Sequence, residues 1–411
     1  MSRRVVITGL GVISSVGKSP DEFFASLMAG RSGIRRLQAP FADKLDIRIA
    51  ANVPDYNPAD YFSKVKLSGI ERVSQFALIA GAQAVADAGL EIAEEEQTRA
   101  GVTLGTGLGG ATTLEEGYEQ VFLRGDPRIK PLSVLLSMNN AAASHLSLTY
   151  KLQGANVTYS TACASSAIAI GEAYRQIKHG YADVMLAGGS EALLTFGAMK
   201  AWEALRTLAT EDPNDPGASC KPFSKDRNGL VLGEGAAVLV LEDAERAVAR
   251  GAKIYAELVG YDCSSDASHI TKPDSAGQTR AMRSALRDAG LQPADIGYIN
   301  AHGTATQAGD IEETRAIKAV FGEHAKVPVS STKSMHGHVM GATGAVEFMA
   351  AVLALHHQAI PPTINLHQPD PECDLDYVPN QGRRDVPLDA VMSNSFAFGG
   401  TNAVLIARKF A

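Results

Sequence analysis

Asn156-Val-Thr-Tyr-Ser-Thr-Ala-Cys163-Ala-Ser-Ser-Ala-Ile-Ala-Ile-Gly171 sets the architecture predicted for this 411-residue chain. Val157 and Tyr159 favour a short buried strand. Small and apolar residues then recur at helical spacing over residues 164–179. The pattern predicts a strand, a sharp turn and a helix, with Cys163 at the start of that helix.

A cysteine in this position has a characteristic chemistry. It faces unpaired backbone N–H groups and the positive end of the helix dipole. Both features lower the pKa of a thiol, so we expect Cys163 to favour the thiolate. The same N–H groups offer hydrogen bonds to an oxyanion that forms beside the sulfur. Because an isolated cysteine among alanines is more often a small core residue, the interpretation depends on the rest of the chain.

The composition is typical of a globular protein, with 45% hydrophobic residues, 20% charged residues and a formal net charge of -7. A negative charge argues against nucleic-acid binding. The four cysteines form no CxxC pair, so we predict no metal site and no disulfide framework, and we expect a cytoplasmic location. We also expect no membrane contact, because the sequence shows no signal peptide and no apolar run of about 18 residues.

The second half of the sequence repeats the first. Ala84-Val-Ala-Asp-Ala-Gly-Leu90 is echoed by Ala285-Leu-Arg-Asp-Ala-Gly-Leu291, and a predicted buried strand follows each copy. Strands that alternate with helices indicate mostly parallel sheets with helices on both faces. We therefore predict an α/β fold of two related halves, residues 1–250 and 251–411, packed together as a pseudo-dimer.

The repeat also places chemical groups at matching positions. Ser160-Thr161 precedes Cys163, and Ser331-Thr332 precedes Lys333. Sites in such sheets lie at the carboxyl ends of strands. Because Cys163 and His302 both follow predicted strands, in opposite halves, we expect them to meet at an interface between the halves.

Four further segments contribute chemistry beside the cysteine. They are Asn300-Ala-His302-Gly-Thr304-Ala-Thr306, Ser331-Thr-Lys333-Ser-Met-His-Gly-His338, Gly309-Asp310 with Glu313, and Asn394-Ser-Phe-Ala-Phe398-Gly-Gly-Thr-Asn402. Taken singly, His302 is explained equally well as a core histidine, and Lys333 as a surface lysine. The carboxylates of Asp310 and Glu313 are expected to orient the basic groups.

Together these groups suit carbon–carbon bond formation on a thioester. A thiolate can hold an acyl group as a thioester, and two neutral imidazoles can donate hydrogen bonds to a developing enolate. A nearby cation stabilises negative charge. A cysteine hydrolase needs one histidine base with an orienting asparagine or aspartate, so a second histidine and a lysine exceed its requirements.

The motifs around Cys163, His302, Lys333 and His338, with the Phe398-Gly-Gly turn, resemble those of the β-ketoacyl-acyl-carrier-protein synthases of the thiolase superfamily. The similarity is greatest to the elongating I/II group of type II fatty-acid synthesis, and it runs through nearly the whole chain. It implies a thiolase fold with five αβαβα layers. It also implies an acyltransferase that lengthens an acyl chain by condensing it with malonyl-carrier protein.

The resemblance assigns roles to individual residues. Cys163 would be the acylated nucleophile, and His302 and His338 would assist decarboxylation of malonyl-carrier protein and bind the thioester carbonyl. Lys333 would support the His338 region electrostatically. Backbone N–H groups of Cys163 and Phe398 would form the oxyanion hole, with the Phe398 side chain as a gate.

The resemblance also implies where the substrate lies. Thr304 and Thr306 match positions that hold the phosphopantetheine arm, and no metal or dissociable cofactor is required. Leu108 and Trp202 match a region near the wall of the acyl pocket, although an ordinary core position explains Trp202 equally well.

Two residues depart from the usual pattern of these enzymes. His336 stands in a segment where Thr is usual, and Ala397 stands where Gly is usual in the gate turn. An alanine narrows the backbone angles that the turn can adopt, so we expect the gate to move differently. These departures also resemble specialised relatives of the aryl-polyene or nodulation type.

The expected partner is an acyl carrier protein, bound by a homodimer or by a heterodimer with a sister chain. Because carrier proteins are acidic, a basic patch should surround the entrance. The candidates are Lys64, Lys66, Arg72 and Arg206. The alternatives are a specialised aryl-polyene, nodulation-type or type II polyketide ketosynthase subunit in a heterodimer, and a non-catalytic chain-length partner. Such partners usually lose the cysteine that this chain keeps.

Overall fold

The computed structural model describes residues 2–411, in which strands and helices alternate along most of the chain. The strands are β1 Val5–Ile13, β2 Arg35–Arg36, β3 Ile49–Ala50, β4 Ala100–Gly105, β5 Asn156–Tyr159, β6 Val184–Glu191, β7 Gly235–Asp243, β8 Ala256–Ser265, β9 Tyr298–Asn300, β10 Val329–Ser330, β11 Ala390–Phe396 and β12 Thr401–Arg408. The α-helices are α1 Pro20–Met28, α2 Lys64–Leu67, α3 Arg72–Asp87, α4 Ala111–Tyr118, α5 Ser133–Ser137, α6 Ala141–Tyr150, α7 Ser165–Lys178, α8 Phe196–Leu205, α9 Ala244–Ala249, α10 Ser275–Ala289, α11 Gln307–Phe321, α12 Lys333–His336 and α13 Thr343–His357.

The strand order repeats along one mixed sheet. Its ten strands lie in the order β10-β9-β11-β12-β8-β1-β7-β6-β4-β5. Read outward from the centre, β1-β7-β6-β4-β5 and β8-β12-β11-β9-β10 follow the same pattern. The halves join where residues 5–7 of β1 pair antiparallel with residues 256–258 of β8. The two related α/β halves predicted from the sequence are therefore present, and the predicted boundary at residues 250–251 lies between α9 and β8.

Helices fill the space between the halves and cover their outer faces. The central helices α7 and α13 contact each other, and each also contacts strands of both halves. On one outer side α3 and α6 pack against strands of the first half, and on the other α10 packs against β8 and β12. The two halves of the continuous sheet are the two β layers, and α7 and α13 lie between them. The five αβαβα layers implied by the resemblance are therefore confirmed. In residues 2–411, no helix combines the length and apolar character needed to cross a membrane.

Two glycines of β1 allow α3 to pack directly on the sheet. A methyl group on Gly9 would overlap the carbonyl oxygen of Ala84, and one on Gly11 would overlap that of Ala80. Both oxygens belong to the backbone of α3, so no side chain can move aside to make room. Close contact between helix and strand therefore requires glycine at these positions.

We expect Gly11→Ala to lower the free energy of unfolding by about 3 kcal/mol, because the added methyl group must push α3 away from β1. Gly117→Ala in α4 is the matched control, since no atom lies within 4 Å of the position its methyl group would take. Urea unfolding followed by circular dichroism measures both. A Gly11→Ala midpoint equal to that of the unchanged chain would contradict the prediction.

One strand differs from the sequence prediction. β5 was expected to be buried, but it forms an edge of the sheet, and Val157 is 39% exposed. Residues 122–134 also carry exposed apolar side chains, with Phe122 and Leu123 at 77% and 81% and Val134 at 70%.

Candidate active site

Cys163 lies in a sharp turn between β5 and α7. β5 ends at Tyr159, and Ala162 then adopts a positive φ of 50° before α7 begins. Ser165 holds this turn, because its hydroxyl accepts a hydrogen bond from the Thr161 N–H at 2.8 Å and donates one to the Ala162 carbonyl at 2.6 Å. Cys163 is consequently placed just before the first turn of α7, where only 4% of it is exposed.

The second half of the chain brings two histidines to this thiol. His302 follows β9, and His338 lies between α12 and α13. His338 Nε2 is 3.1 Å from Cys163 Sγ, and the two imidazole rings are nearly perpendicular with centroids 5.5 Å apart. The site therefore lies between the halves. Cys163 lies on the chain segment between β5 and α7, and His338 lies on the equivalent segment of the second half, between β10 and α13.

Neighbouring donors determine which nitrogen of each ring carries the hydrogen. His338 Nδ1 accepts a hydrogen bond from the Met340 N–H at 3.0 Å, and His302 Nδ1 lies 3.3 Å from Lys333 Nζ. An amide N–H and an ammonium group can only donate, so each Nδ1 must present a lone pair. In the neutral rings the hydrogen is therefore on Nε2, which is the donor that each ring offers to the cavity.

The charge state of the site differs in one respect from the sequence prediction. Burial and the Lys333 charge hold the pKa of both His302 and His338 well below the usual range, so both rings are neutral. Burial also raises the pKa of the Cys163 thiol to about 11. The Lys333 charge and the backbone N–H groups of Cys163 and Phe398 oppose this shift but do not outweigh it. The expected thiolate was wrong, because loss of hydration dominates at this depth.

We expect the rate of alkylation of Cys163 by iodoacetamide to rise about tenfold for each pH unit through the neutral range, because only the thiolate reacts. The rise should continue toward pH 11, in line with the raised pKa. Peptide mass spectrometry separates Cys163 from the exposed Cys263, which gives the rate of an accessible thiol in the same chain. A plateau at about pH 8 would show an ordinary or lowered pKa and contradict the prediction.

Lys333 is fully buried and contacts His302 directly. Its ammonium lies 2.5 Å from Glu347 Oε1 and donates to the His302 carbonyl oxygen. The resemblance assigned Lys333 to the His338 region, but its hydrogen bonds are to His302 and Glu347, and it acts on His338 only through its charge.

Glu347 is a residue of the site that the sequence analysis missed. It lies on α13, where burial raises its pKa to about 8 and the Lys333 charge opposes that shift. The signal that could have identified it is a lone acidic residue within the otherwise apolar segment 343–355. A carboxylate in such a segment is rarely buried without a charged partner.

The two predicted orienting carboxylates act on the main chain rather than on the rings. Glu313 accepts hydrogen bonds from the N–H groups of His302 and Gly303 at 2.8 and 2.7 Å. Asp310 accepts from the Ala305 N–H at 3.1 Å and the Phe223 N–H at 2.7 Å. Both carboxylates therefore fix the turn that carries His302.

A cavity opens above the thiol. It is lined by Cys163, His302, His338, Thr304, Thr306 and Phe398, among others. The hydroxyl oxygens of Thr304 and Thr306 are 2.9 Å apart on its wall. Leu108, in contrast, is 46% exposed at the surface, and Trp202 lies behind Phe398 with its ring stacked on that side chain. Neither residue lines the described cavity.

The same three groups also resemble a metal site, because ligand atoms of Cys163, His302 and His338 all lie within 4.8 Å of one another. A metal-bound histidine usually donates its second N–H group to an acceptor. Here both Nδ1 atoms receive hydrogen bonds from donors, which keeps the hydrogen on Nε2, where a metal would bind. The arrangement therefore favours hydrogen-bond donation over metal coordination.

The predicted basic patch is only partly available at the surface. Lys64, Lys66 and Arg206 are exposed. Arg72, in contrast, is held by two hydrogen bonds to Glu234 of 2.8 and 2.5 Å. It is therefore a structural residue of the α3 region and not a free docking cation.

Comparison with known proteins places this site in a family. Residues 2–247 match the model "Beta-ketoacyl synthase, N-terminal domain", and residues 255–367 match "Beta-ketoacyl synthase, C-terminal domain". The chain is 44% identical to 3-oxoacyl-[acyl-carrier-protein] synthase 2 of Coxiella burnetii over 98% of both chains.

Solved structures agree over the full length of the chain. A β-ketoacyl synthase from Burkholderia phymatum superposes with a TM-score of 0.92 at 39% identity, and it covers 100% of both chains. The ishigamide ketosynthase/chain length factor gives 0.91 at 38% identity, with the same coverage. The predicted thiolase fold is confirmed by these matches. The chain belongs to the β-ketoacyl synthase family.

Proposed function

We propose that the chain is an elongating 3-oxoacyl-[acyl-carrier-protein] synthase. The observation that carries the proposal is the pairing of one buried thiol with two neutral imidazoles whose Nδ1 atoms both receive hydrogen bonds. That arrangement supplies a nucleophile and two N–H donors in one cavity. The 44% identical relative from Coxiella burnetii has the same activity in its name.

The first step transfers an acyl chain from its carrier protein to Cys163. The sulfur attacks the thioester carbonyl carbon, and the N–H groups of Cys163 and Phe398 stabilise the oxyanion, since both already reach the sulfur. The carrier thiol leaves and takes the proton that the Cys163 thiol gives up. The products are acyl-Cys163 and a free carrier thiol.

The second step condenses this acyl group with malonyl-carrier protein. The bond between the malonyl carboxylate and its α-carbon breaks, carbon dioxide leaves, and the electron pair forms an enolate. Nε2–H groups of His302 and His338 donate to the enolate oxygen. The enolate carbon then attacks the acyl carbonyl, the bond to Cys163 Sγ breaks, and the leaving thiolate takes a proton from solvent water. The product is a β-ketoacyl chain that is two carbons longer.

Carrier protein and a second chain are the partners of this reaction. The exposed Lys64, Lys66 and Arg206 are the cations that an acidic carrier protein would meet. The second chain forms a homodimer with the first and covers exposed apolar side chains such as Val157 and Phe122. Thr304 and Thr306 hold the phosphopantetheine arm, no metal or dissociable cofactor takes part, and the enzyme works in the cytoplasm.

A heterodimer is the second candidate. The ishigamide protein, 38% identical, is described as a ketosynthase/chain length factor, and the same apolar surface would suit a sister chain. In that case this chain is the catalytic subunit, because it carries Cys163. A non-catalytic role would leave the thiol and both imidazoles without use.

Intact mass spectrometry tests the proposal. The purified protein is incubated with acyl-carrier proteins of graded chain length, with Cys163→Ala as the control. We expect a mass gain of one acyl group that is lost in the variant and discharged by malonyl-carrier protein as a β-ketoacyl product. Absence of acylation at every chain length, in the protein alone and after co-expression with a sister chain, would contradict the proposal.

A further inference from the structure

The hairpin that joins β11 to β12 ends in a tight turn, residues 397–400, which we call the tip turn. The Gly400 N–H donates to the Ala397 carbonyl at 3.0 Å. Gly399 and Gly400 adopt positive φ angles of 88° and 75°, which favour glycine. Phe398 lies in this turn, so one residue provides both an N–H group to the Cys163 sulfur and a side chain to the cavity wall.

The tip turn contacts residues 266–270 on one side, where the Gly400 carbonyl accepts a hydrogen bond from the Asp266 N–H at 2.8 Å. The Gly399 N–H donates to the Ile270 carbonyl at 2.7 Å, and no atom lies within 4 Å of the position a methyl group on Gly399 would take. The turn is therefore open on its outer side. Its inner side is restrained by Ala397, which is buried against the core.

Trp202 contacts the side chain of Phe398. Its ring is stacked on that of Phe398, with centroids 6.0 Å apart and planes inclined by 22°. Trp202 belongs to α8 and packs against the main hydrophobic core, so its ring is held by the core on one side and meets Phe398 of the tip turn on the other. Offset stacking of this kind adds stability beyond the burial of area.

We propose that Trp202 is a positioning residue whose stacking holds Phe398 over Cys163, and we call this stacked pair the latch. The inference rests on the proposed function, in which an acyl chain reaches the sulfur through the cavity that Phe398 lines. Because the N–H group and the ring belong to the same residue, the stack keeps the oxyanion donor aligned and shields the thiol at once. Passage of the chain requires the two rings to separate.

Alkylation of Cys163 by iodoacetamide tests the latch. We compare the rate constant per Cys163 thiolate, taken from full pH profiles, because displacement of the Phe398 N–H also changes the Cys163 pKa. We expect Trp202→Leu to raise this rate constant about two- to tenfold, because loss of the stack raises the population with Phe398 displaced. Trp202→Phe retains a ring and should restore a rate close to that of the unchanged chain. Cys263 in the same protein is the exposed reference thiol and should not change.

A double-mutant cycle separates the latch from general loosening of the fold. Phe398→Ala should accelerate alkylation by itself, and adding Trp202→Leu to it should have no further effect. The proposal is overturned by an unchanged rate in Trp202→Leu, by equal acceleration at Cys263, or by a full additional effect in the Phe398→Ala background. Trp202→Met replaces Trp202→Leu if circular dichroism shows that the latter is unfolded.

This experiment uses no acyl substrate. A chain that fails to accept acyl groups can still show the alkylation pattern, and a chain that accepts them can fail to show it. Failure of the latch and failure of the proposed function therefore give different results.

Discussion

Cys163→Ala is expected to abolish condensation while malonyl-carrier protein still loses carbon dioxide. Removal of a covalent nucleophile costs about 10⁶-fold in rate, since no acyl group can be held. Decarboxylation depends instead on the Nε2–H donors of His302 and His338. The donors to the Nδ1 atoms, Lys333 and the Met340 N–H, keep the hydrogen on Nε2 without involving the sulfur, so both Nε2–H donors should survive the substitution.

Release of labelled carbon dioxide from carboxyl-labelled malonyl-carrier protein measures decarboxylation, and the mass of the carrier-bound product measures condensation. Cys163→Ala combined with His338→Ala is the control and should lose both. Formation of a β-ketoacyl product by Cys163→Ala would show that another group carries the acyl chain. Loss of carbon dioxide release in that single variant would show that the sulfur takes part in decarboxylation.

Lys333→Met should both destabilise the protein and inactivate it. Breaking a buried ion pair by removing one partner costs about 3–5 kcal/mol, because the remaining charge has no counter-charge. Here that charge is Glu347, fully buried on α13. The loss should be larger at pH 9 than at pH 6, since Glu347, whose pKa is already raised by burial, takes up a proton at the lower pH.

The double variant Lys333→Met/Glu347→Gln distinguishes the two roles of Lys333. It contains no buried charge at this position, so urea unfolding should show that most of the lost stability is regained. Carbon dioxide release should stay low, because His302 Nδ1 still lacks the donor that keeps hydrogen on Nε2. Recovery of activity together with stability would mean that Lys333 has only a structural role, contrary to this prediction.

Much of the fold was predictable because its signals are local. The strand and helix around Cys163, and the repeated segment ending at Leu90 and Leu291, follow from spacing and glycine stops alone. The repeat in sequence then predicted the repeat in strand order. Long-range contacts lacked such signals: nothing near Val157 indicates that β5 is an edge strand, because an apolar residue is also the normal occupant of a central strand.

The residues of the site were predicted better than their charge states and contacts. Cys163 was placed correctly at the start of α7, but the expected thiolate was wrong. The helix dipole and the N–H groups that lower the pKa of the thiol can be inferred from local sequence. The burial that raises this pKa depends on the whole fold. Glu347 pairs with a lysine fourteen residues away and has no motif of its own. Arg72 was expected to be a docking cation, yet its partner Glu234 is distant in sequence and close only in the fold.

The equivalent segments β5–α7 and β10–α13 have the same position in the two halves but carry different functional residues. One supplies the sulfur, and the other supplies Lys333 and His338. This is the result expected when a gene is duplicated and fused, and each copy then loses what the other retains. Neither copy would be an enzyme by itself, and evolution could change the nucleophile's surroundings in one copy without disturbing the proton-donating apparatus in the other. The two halves of one polypeptide are in this sense an obligate pair.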